Sequence, residues 1–409
     1  MKIKTSELNS VALALLIFSG LVGYLFQYLG IATSFLTVNM LVVFVAVLLS
    51  IFYRFVKKSH KIKICELLFL AYLSIVVFWS IYIKESDYTL LKFFVYVLSG
   101  AIIVSGDINI ELVLRMLTYS TIIFVPVYSK VFALTFVTLN QANMGTMYKV
   151  LNLVLAGIIH FFYFRKECSK KIWIGYAGSL ILLVGLVTKA NRGVVLSVVF
   201  AFAVCILNYT SSKSSYKTQN IKKRLKFIVI LLLASVLVLN MNKIILGLYG
   251  LWSTVSQNVP SFLVKMNKYI LLNDTSNGRT EVFDLAVSII REHPLFGIGI
   301  ENFGKYFEVN YPHNFILQLW LEGGVFFLIV PVITSVYLVK EVMMCVVGDK
   351  KLEATLIFMM LLAIPRFLLS LDIWTYYEFW IPIFYVVANY KYIQCNTRTV
   401  VGSTEKIGR

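Results

Sequence analysis

Apolar stretches long enough to cross a bilayer as helices recur from one end of the chain to the other. They centre near residues 20, 44, 75, 98, 125, 156, 180, 201, 238, 326, 361 and 385. A helix needs roughly 20 apolar residues to span the hydrocarbon core, so the pattern predicts about twelve spans. The short alternating segments of an outer-membrane barrel are a different pattern. The first run, near residues 11–28, lacks a small-residue cleavage site and is followed at once by another run. It reads as a retained helix rather than a signal peptide. Between the ninth and tenth runs the pattern changes. Within NDTSNGRTEVFDLAVSIIREHPLFGIGIENFGKYFEVNYPHN, the apolar residues Val282, Phe283, Leu285, Ala286, Ile289 and Ile290 return at helical spacing among polar ones. This predicts an amphipathic helix over about 279–292, capped by Ser276 or Asn277 and stopped before Pro294. The expected fold is all-α: one polytopic integral membrane domain over residues 1–409, with a long loop at 251–313 and a tail at 395–409.

Composition agrees with the pattern. Hydrophobic residues make up 59% of the 409 and charged residues 14%, more apolar surface than a soluble chain of this length can hide. The formal net charge of +18 would suit nucleic acid, but the cations sit in short loops between apolar runs, which is how membrane proteins set orientation. With the amino terminus in the cytoplasm, about 25 of the 38 Lys and Arg fall on the cytoplasmic side, in loops such as KKSHKIK, RKECSKK and KTQNIKKRLK. The loop at 251–313 and the sites it carries then lie on the outer face of the membrane, and both termini are cytoplasmic. None of the five cysteines lies in that loop, which excludes a disulfide staple or a cysteine metal site there.

The basic residues that break the bias are the informative ones. Lys92 lies early in the fourth run, Arg192 at the turn between the seventh and eighth, Arg279 and Arg291 in the long loop, and Arg366 near the outer end of the eleventh. Solvation accounts for cations within the loop. At a membrane boundary, an anionic partner is the better account of Lys92, Arg192 and Arg279. A diphosphate suits them, because a guanidinium fork holds two oxygens at once. Arg279, in the expected first turn of the amphipathic helix, would add its charge to free backbone amides; pairing with Asp274 or Glu281 is its other reading. GIGIENFG has the spacing of a dinucleotide fingerprint without the strand-turn-helix that gives it meaning, so its glycines are read as turn formers.

YPHNFILQLWLEGG opens the tenth run. Pro312 is suited to the first helical position, which places His313 in the first turn, where the helix terminus favours a neutral imidazole. A neutral imidazole can act as a base; the other reading of His313 is an interfacial histidine bonded to a loop carbonyl. Glu322 follows His313 by nine residues, about half a turn out of phase and roughly 13 Å deeper, so the two cannot form a dyad. Asn314, Gln318 and Glu322 share one stripe instead, suited to bonding other helices or lining a cavity.

The order of the pieces, NRG at a helix turn, then GRTEVFDLAVSIIREHPLFGIGIENF, then PHNFILQLWLEGG, resembles the O-antigen ligase and O-antigen polymerase superfamily, over about residues 185–330. The resemblance implies a membrane glycosyltransferase of lipopolysaccharide biosynthesis in the bacterial inner membrane. Its donor would be an undecaprenyl-diphosphate-linked oligosaccharide, with no metal or cofactor. It further implies that His313 is catalytic and that Arg192 and Arg279 hold the diphosphate, with Lys92 similar to a lysine some ligases use there. Asn314, Glu322, Arg291 and Arg366 are the candidates for acceptor contact or cavity lining. Of the two activities, the chain looks more like an O-antigen polymerase, extending a glycan on another lipid-linked repeat unit, than a ligase transferring to lipid A core. Membrane lipid and a chain-length regulator are candidate partners; nucleic acid is not. A transporter or flippase of lipid-linked glycan fits less well, because no two-fold repeat of hydropathy is present and one long loop breaks the symmetry.

Overall fold

Backbone in hydrocarbon must satisfy its own hydrogen bonds, and a helix does so within one segment. In the computed structural model all regular structure among the described residues is helical. Those residues are 7–30, 35–57, 64–84, 91, 93–135, 142–167, 169–189, 192–211, 241–255, 259, 264, 267, 280–344, 349–367 and 372–405. The first half contains α1 (Leu8–Tyr28), α2 (Phe35–Lys57), α3 (Ile64–Lys84), a π-helix (Phe93–Leu98) running into α4 (Ser99–Val104), α5 (Ile110–Thr135) and α6 (Ala142–Phe164). Then come α7 (Ile172–Lys189), α8 (Arg192–Ser211), α9 (Met241–Val255), α10 (Thr280–Glu292), a 3-10 turn (Asn302–Lys305), α11 (Phe315–Met344), α12 (Lys350–Phe367) and α13 (Tyr377–Glu405).

Helix covers every expected apolar centre except residue 238, which lies outside the described residues. Among the described residues five helices, α1, α2, α5, α6 and α11, are long and apolar enough to cross a membrane, and the protein is a multi-pass membrane protein. Shorter apolar helices occupy Glu66–Tyr82, Phe93–Val104, Ile172–Leu186 and Ser197–Ile206. α12 falls outside both groups because its 18 residues include Lys350, Lys351, Glu353 and Arg366. α13 runs on to Glu405, through much of the stretch expected as a tail.

α6 forms the centre of the bundle. It packs on α1, α5, α7, α8 and α12, and 83% of its apolar window is buried, against 22% for the peripheral α2. A helix enclosed on all sides has no lipid face, so polar side chains can sit on it only if other helices satisfy them. Lys149, Asn152 and His160 are all buried on α6, and His160 Nδ1 lies 2.7 Å from Tyr176 Oη of α7.

Candidate active site

The amphipathic helix is present as α10, with Val282, Ala286, Ile289 and Ile290 buried. Its apolar face packs with Ile298, Phe303 and Leu321 in a small core of its own, which seats α10 on the first half of α11. His293 and Pro294 end it, and the chain then turns through Gly297 (φ 65°) and Gly299 (φ 84°). Both glycines occupy the left-handed region that a side chain makes costly. Gly297 also has no room, since a Cβ there would stand 2.5 Å from the Leu321 carbonyl oxygen.

The reason for that close approach is a break in α11. At Gly324 the backbone leaves the helix (φ 73°, ψ −173°), a conformation open essentially to glycine alone. The break strands backbone groups that hydrocarbon would leave unsatisfied, and the loop after α10 takes them up. Ile298 N donates to Leu321 O (2.8 Å) and Gly299 N to Glu322 O (2.9 Å), while Val325 N donates to Pro294 O (3.0 Å). Trp320 Nε1 donates to the same Pro294 oxygen (3.0 Å). PLFGIG and WLEGG, 27 residues apart between Pro294 and Leu321, are thus two halves of one clamp.

Glu322, fully buried, lies at its centre. Its Oε1 accepts from Glu301 N (3.2 Å) and Gln318 Nε2 (3.2 Å), and its Oε2 from Trp374 Nε1. Gln318 Nε2 also donates to Asp372 Oδ1 (2.7 Å), and its Oε1 accepts from Ile373 N (3.3 Å). Phe327 stacks on Trp374 at 5.7 Å. From α3, Ser80 Oγ accepts from Ile300 N (2.7 Å). The polar stripe therefore bonds to two other segments, but Asn314 is not part of that contact. Its Oδ1 accepts from Ile316 N (2.9 Å) and Leu317 N (3.3 Å), which makes it the N-cap of α11.

That cap corrects the expected helix start. Pro312 does not open α11, and His313 is not in its first turn; the helix begins at Phe315. Asn314 wins because its side chain satisfies two free amides, whereas proline at the first position merely forgoes one. His313 takes a left-handed conformation (φ 56°) just outside the helix, its ring 4.4 Å from that of Tyr311. A non-glycine residue held there costs about 1–3 kcal/mol, which the surrounding contacts must offset.

Of the expected diphosphate cations, Lys92 and Arg279 lie outside the described residues, as do the proposed caps Ser276 and Asn277. Arg192 opens α8 and Arg366 lies in the last turn of α12, with the side chains of both outside the description. Arg291, in the last turn of α10, is exposed.

One charged site was not anticipated. Lys149 Nζ of α6 donates to Glu378 Oε1 (2.6 Å) in the first turn of α13, and both are buried. Asn152 Nδ2 donates to the same oxygen (2.9 Å). The ammonium lies over the rings of Tyr377 (4.1 Å) and Tyr376 (4.7 Å). Phe379, next to Glu378, packs on Phe315 at 5.6 Å, so this pair sits beside the start of α11. A lone lysine in MYKVLNLVL and a lone glutamate in YYEFWIPIF, each inside an apolar run, were the signal for it.

The family model described as O-antigen ligase matches residues 177–332. Over those residues the chain is similar to the O-antigen ligase family. This is the superfamily that the residues themselves suggested, and its members are glycosyltransferase-like enzymes. No curated protein matches the chain. The O-antigen ligase segment contains α8, α10, both halves of the clamp and His313. Ser80, Lys149, Asp372, Trp374 and Glu378 lie outside it.

Proposed function

We infer that the protein is an O-antigen polymerase, an inverting glycosyltransferase at the periplasmic face of the bacterial inner membrane. It moves a growing glycan from undecaprenyl diphosphate to a sugar hydroxyl of a second undecaprenyl-diphosphate-linked repeat unit. In this reading the chain has about twelve spans and cytoplasmic termini, which puts the loop after α9 in the periplasm. The single observation that carries it is the O-antigen ligase match over the segment that holds His313, α10 and the clamp between them.

The chemistry asks two things of the protein. The acceptor oxygen attacks the anomeric carbon as the bond from that carbon to the diphosphate oxygen breaks, so a proton must leave the hydroxyl and charge must be stabilised on the leaving group. His313 takes the proton as general base. Arg192, Arg279 and Lys92 meet the departing diphosphate. One displacement inverts the anomeric centre.

The test is transfer by purified protein with a defined undecaprenyl-diphosphate oligosaccharide, with products sized and their linkage read. His313→Ala is expected to abolish transfer while the protein inserts at normal abundance; full activity in that variant would remove His313 from the mechanism. The matched model's own description favours a second reading, transfer to lipid A core. A deletion strain separates them: lipopolysaccharide capped by one repeat unit supports the polymerase, and lipopolysaccharide without any supports the ligase.

A further inference from the structure

We propose that Tyr311 is a positioning residue that holds the His313 imidazole with Nε2, rather than Nδ1, toward the acceptor hydroxyl; this rests on the reading of His313 as the base. The need for such a residue follows from where His313 stands. Within a helix the preceding turn confines a side chain to a few rotamers, but His313 lies before the first residue of α11, so no helical turn restrains its ring. Its backbone is held from both sides. Pro312, buried, has a fixed φ and confines the residue before it to extended conformations. Asn314 caps α11, and Phe315 packs on Phe379. Between them His313 takes its left-handed turn (φ 56°), a conformation that histidine adopts more readily than most side chains.

What the backbone does not fix is the orientation of the ring. The rings of Tyr311 and His313, both half-buried, meet at 4.4 Å between centroids with their planes 63° apart, so neither can swing unless the other moves. His313 Nδ1 has no access to solvent, although the residue as a whole is only half-buried. A hydroxyl arriving from outside can therefore meet only Nε2. A neutral imidazole carries a single proton, so Nε2 accepts one only while Nδ1 holds the other. A half-turn of the ring would exchange Nε2 with a carbon, which cannot take the proton, and Tyr311 stands against that motion. The contact is made by the ring, so phenylalanine should serve in its place and leucine should not.

Two experiments with the full-length protein test this. Tyr311→Leu is expected to lower kcat for transfer about tenfold while the KM for each substrate stays within about twofold, because the ring's orientation matters when the proton moves rather than when substrates bind. Tyr311→Phe should keep the wild-type kcat. An unchanged kcat in the leucine variant, an equal loss in both variants, or a loss carried by KM would overturn the proposal. The second experiment is magnetic resonance of isotopically labelled histidine in lipid nanodiscs. It reads no activity, so it decides the placement of the ring even if the wild-type protein transfers nothing and the glycosyltransferase reading fails. The chain has four histidines, and the signal missing from His313→Gln is that of His313. In the neutral wild-type protein its nitrogen shifts should place the proton on Nδ1. The signal should move or split in Tyr311→Leu and stay close to wild type in Tyr311→Phe. A proton on Nε2 in the wild type, or a signal indifferent to Tyr311→Leu, would sink the assignment.

Discussion

Lys149→Met removes an ammonium and keeps most of the stem, so it isolates the charge buried between α6 and α13. What it leaves is the Glu378 carboxylate, with no solvent exposure, still bonded to Asn152 and still in the first turn of α13. The helix terminus favours that anion by about 0.3–1 kcal/mol, too little to replace a cation at 2.6 Å. Removing one partner of a buried pair costs about 3–5 kcal/mol, because the other charge stays buried after that counter-charge is gone. Glu378→Gln should cost less. The ammonium it leaves behind still lies over two tyrosine rings, and buried cation–π contacts contribute up to about 2 kcal/mol. In the double variant neither charge remains, so most of the loss should return, with a coupling above about 2 kcal/mol. Reversible unfolding in mixed micelles, followed for the wild type, both single variants and the double variant, gives the four free energies. Single variants within about 0.5 kcal/mol of wild type, or a double variant equal to the sum of the singles, would refute the claim that this pair joins α6 to α13.

Two predictions concern the clamp. Gly324→Ala puts a Cβ far inside contact with the Leu295 carbonyl, at a backbone conformation only glycine tolerates, and should abolish correctly folded protein in detergent. Gly247→Ala, where a Cβ meets nothing within 4 Å, is the control that should leave yield unchanged. Glu322→Gln can keep its oxygen toward Glu301 N and Gln318 only by turning its amide donor toward Trp374 Nε1–H. The clash of donors should cost about 1–3 kcal/mol and speed hydrogen exchange at the amides of residues 298–301; unchanged protection there would count against the clamp.

What could be read from the sequence follows from which interactions leave a side-chain code. Apolar runs announce helices because burial acts on side chains, and α10 announced itself by the spacing of Val282, Ala286, Ile289 and Ile290. Gly297 and Gly299 could be read as turn formers because positive φ selects glycine directly. The clamp left no such trace. Its central bonds run from backbone to backbone, and the same amides and carbonyls occur at every residue. Only the paired glycines of WLEGG hinted that α11 breaks, and an apolar run on either side outweighed them. The start of α11 was misjudged through competition between neighbours: Pro312 and Asn314 both suit a helix beginning, and only the fold shows that Asn314 turns its side chain back to cap. The Lys149–Glu378 pair spans 229 residues, so each charge was visible and their meeting was not.

The O-antigen ligase segment is not self-sufficient, and the hydrogen bonds show why. Its loop after α10 is held on one side by backbone of α11, inside the segment, but Ile300 is held by Ser80 from α3. Glu322 and Gln318 are completed by Trp374, Asp372 and Ile373 from beyond its end. Phe315, two residues after His313, rests on Phe379, beside the buried Glu378. A strained left-handed residue keeps its conformation only where its neighbours over-determine it. Next to His313 the start of α11 is fixed by the Asn314 cap and by Phe315 resting on Phe379, so one support of the proposed base comes from α13, beyond the end of the matched region.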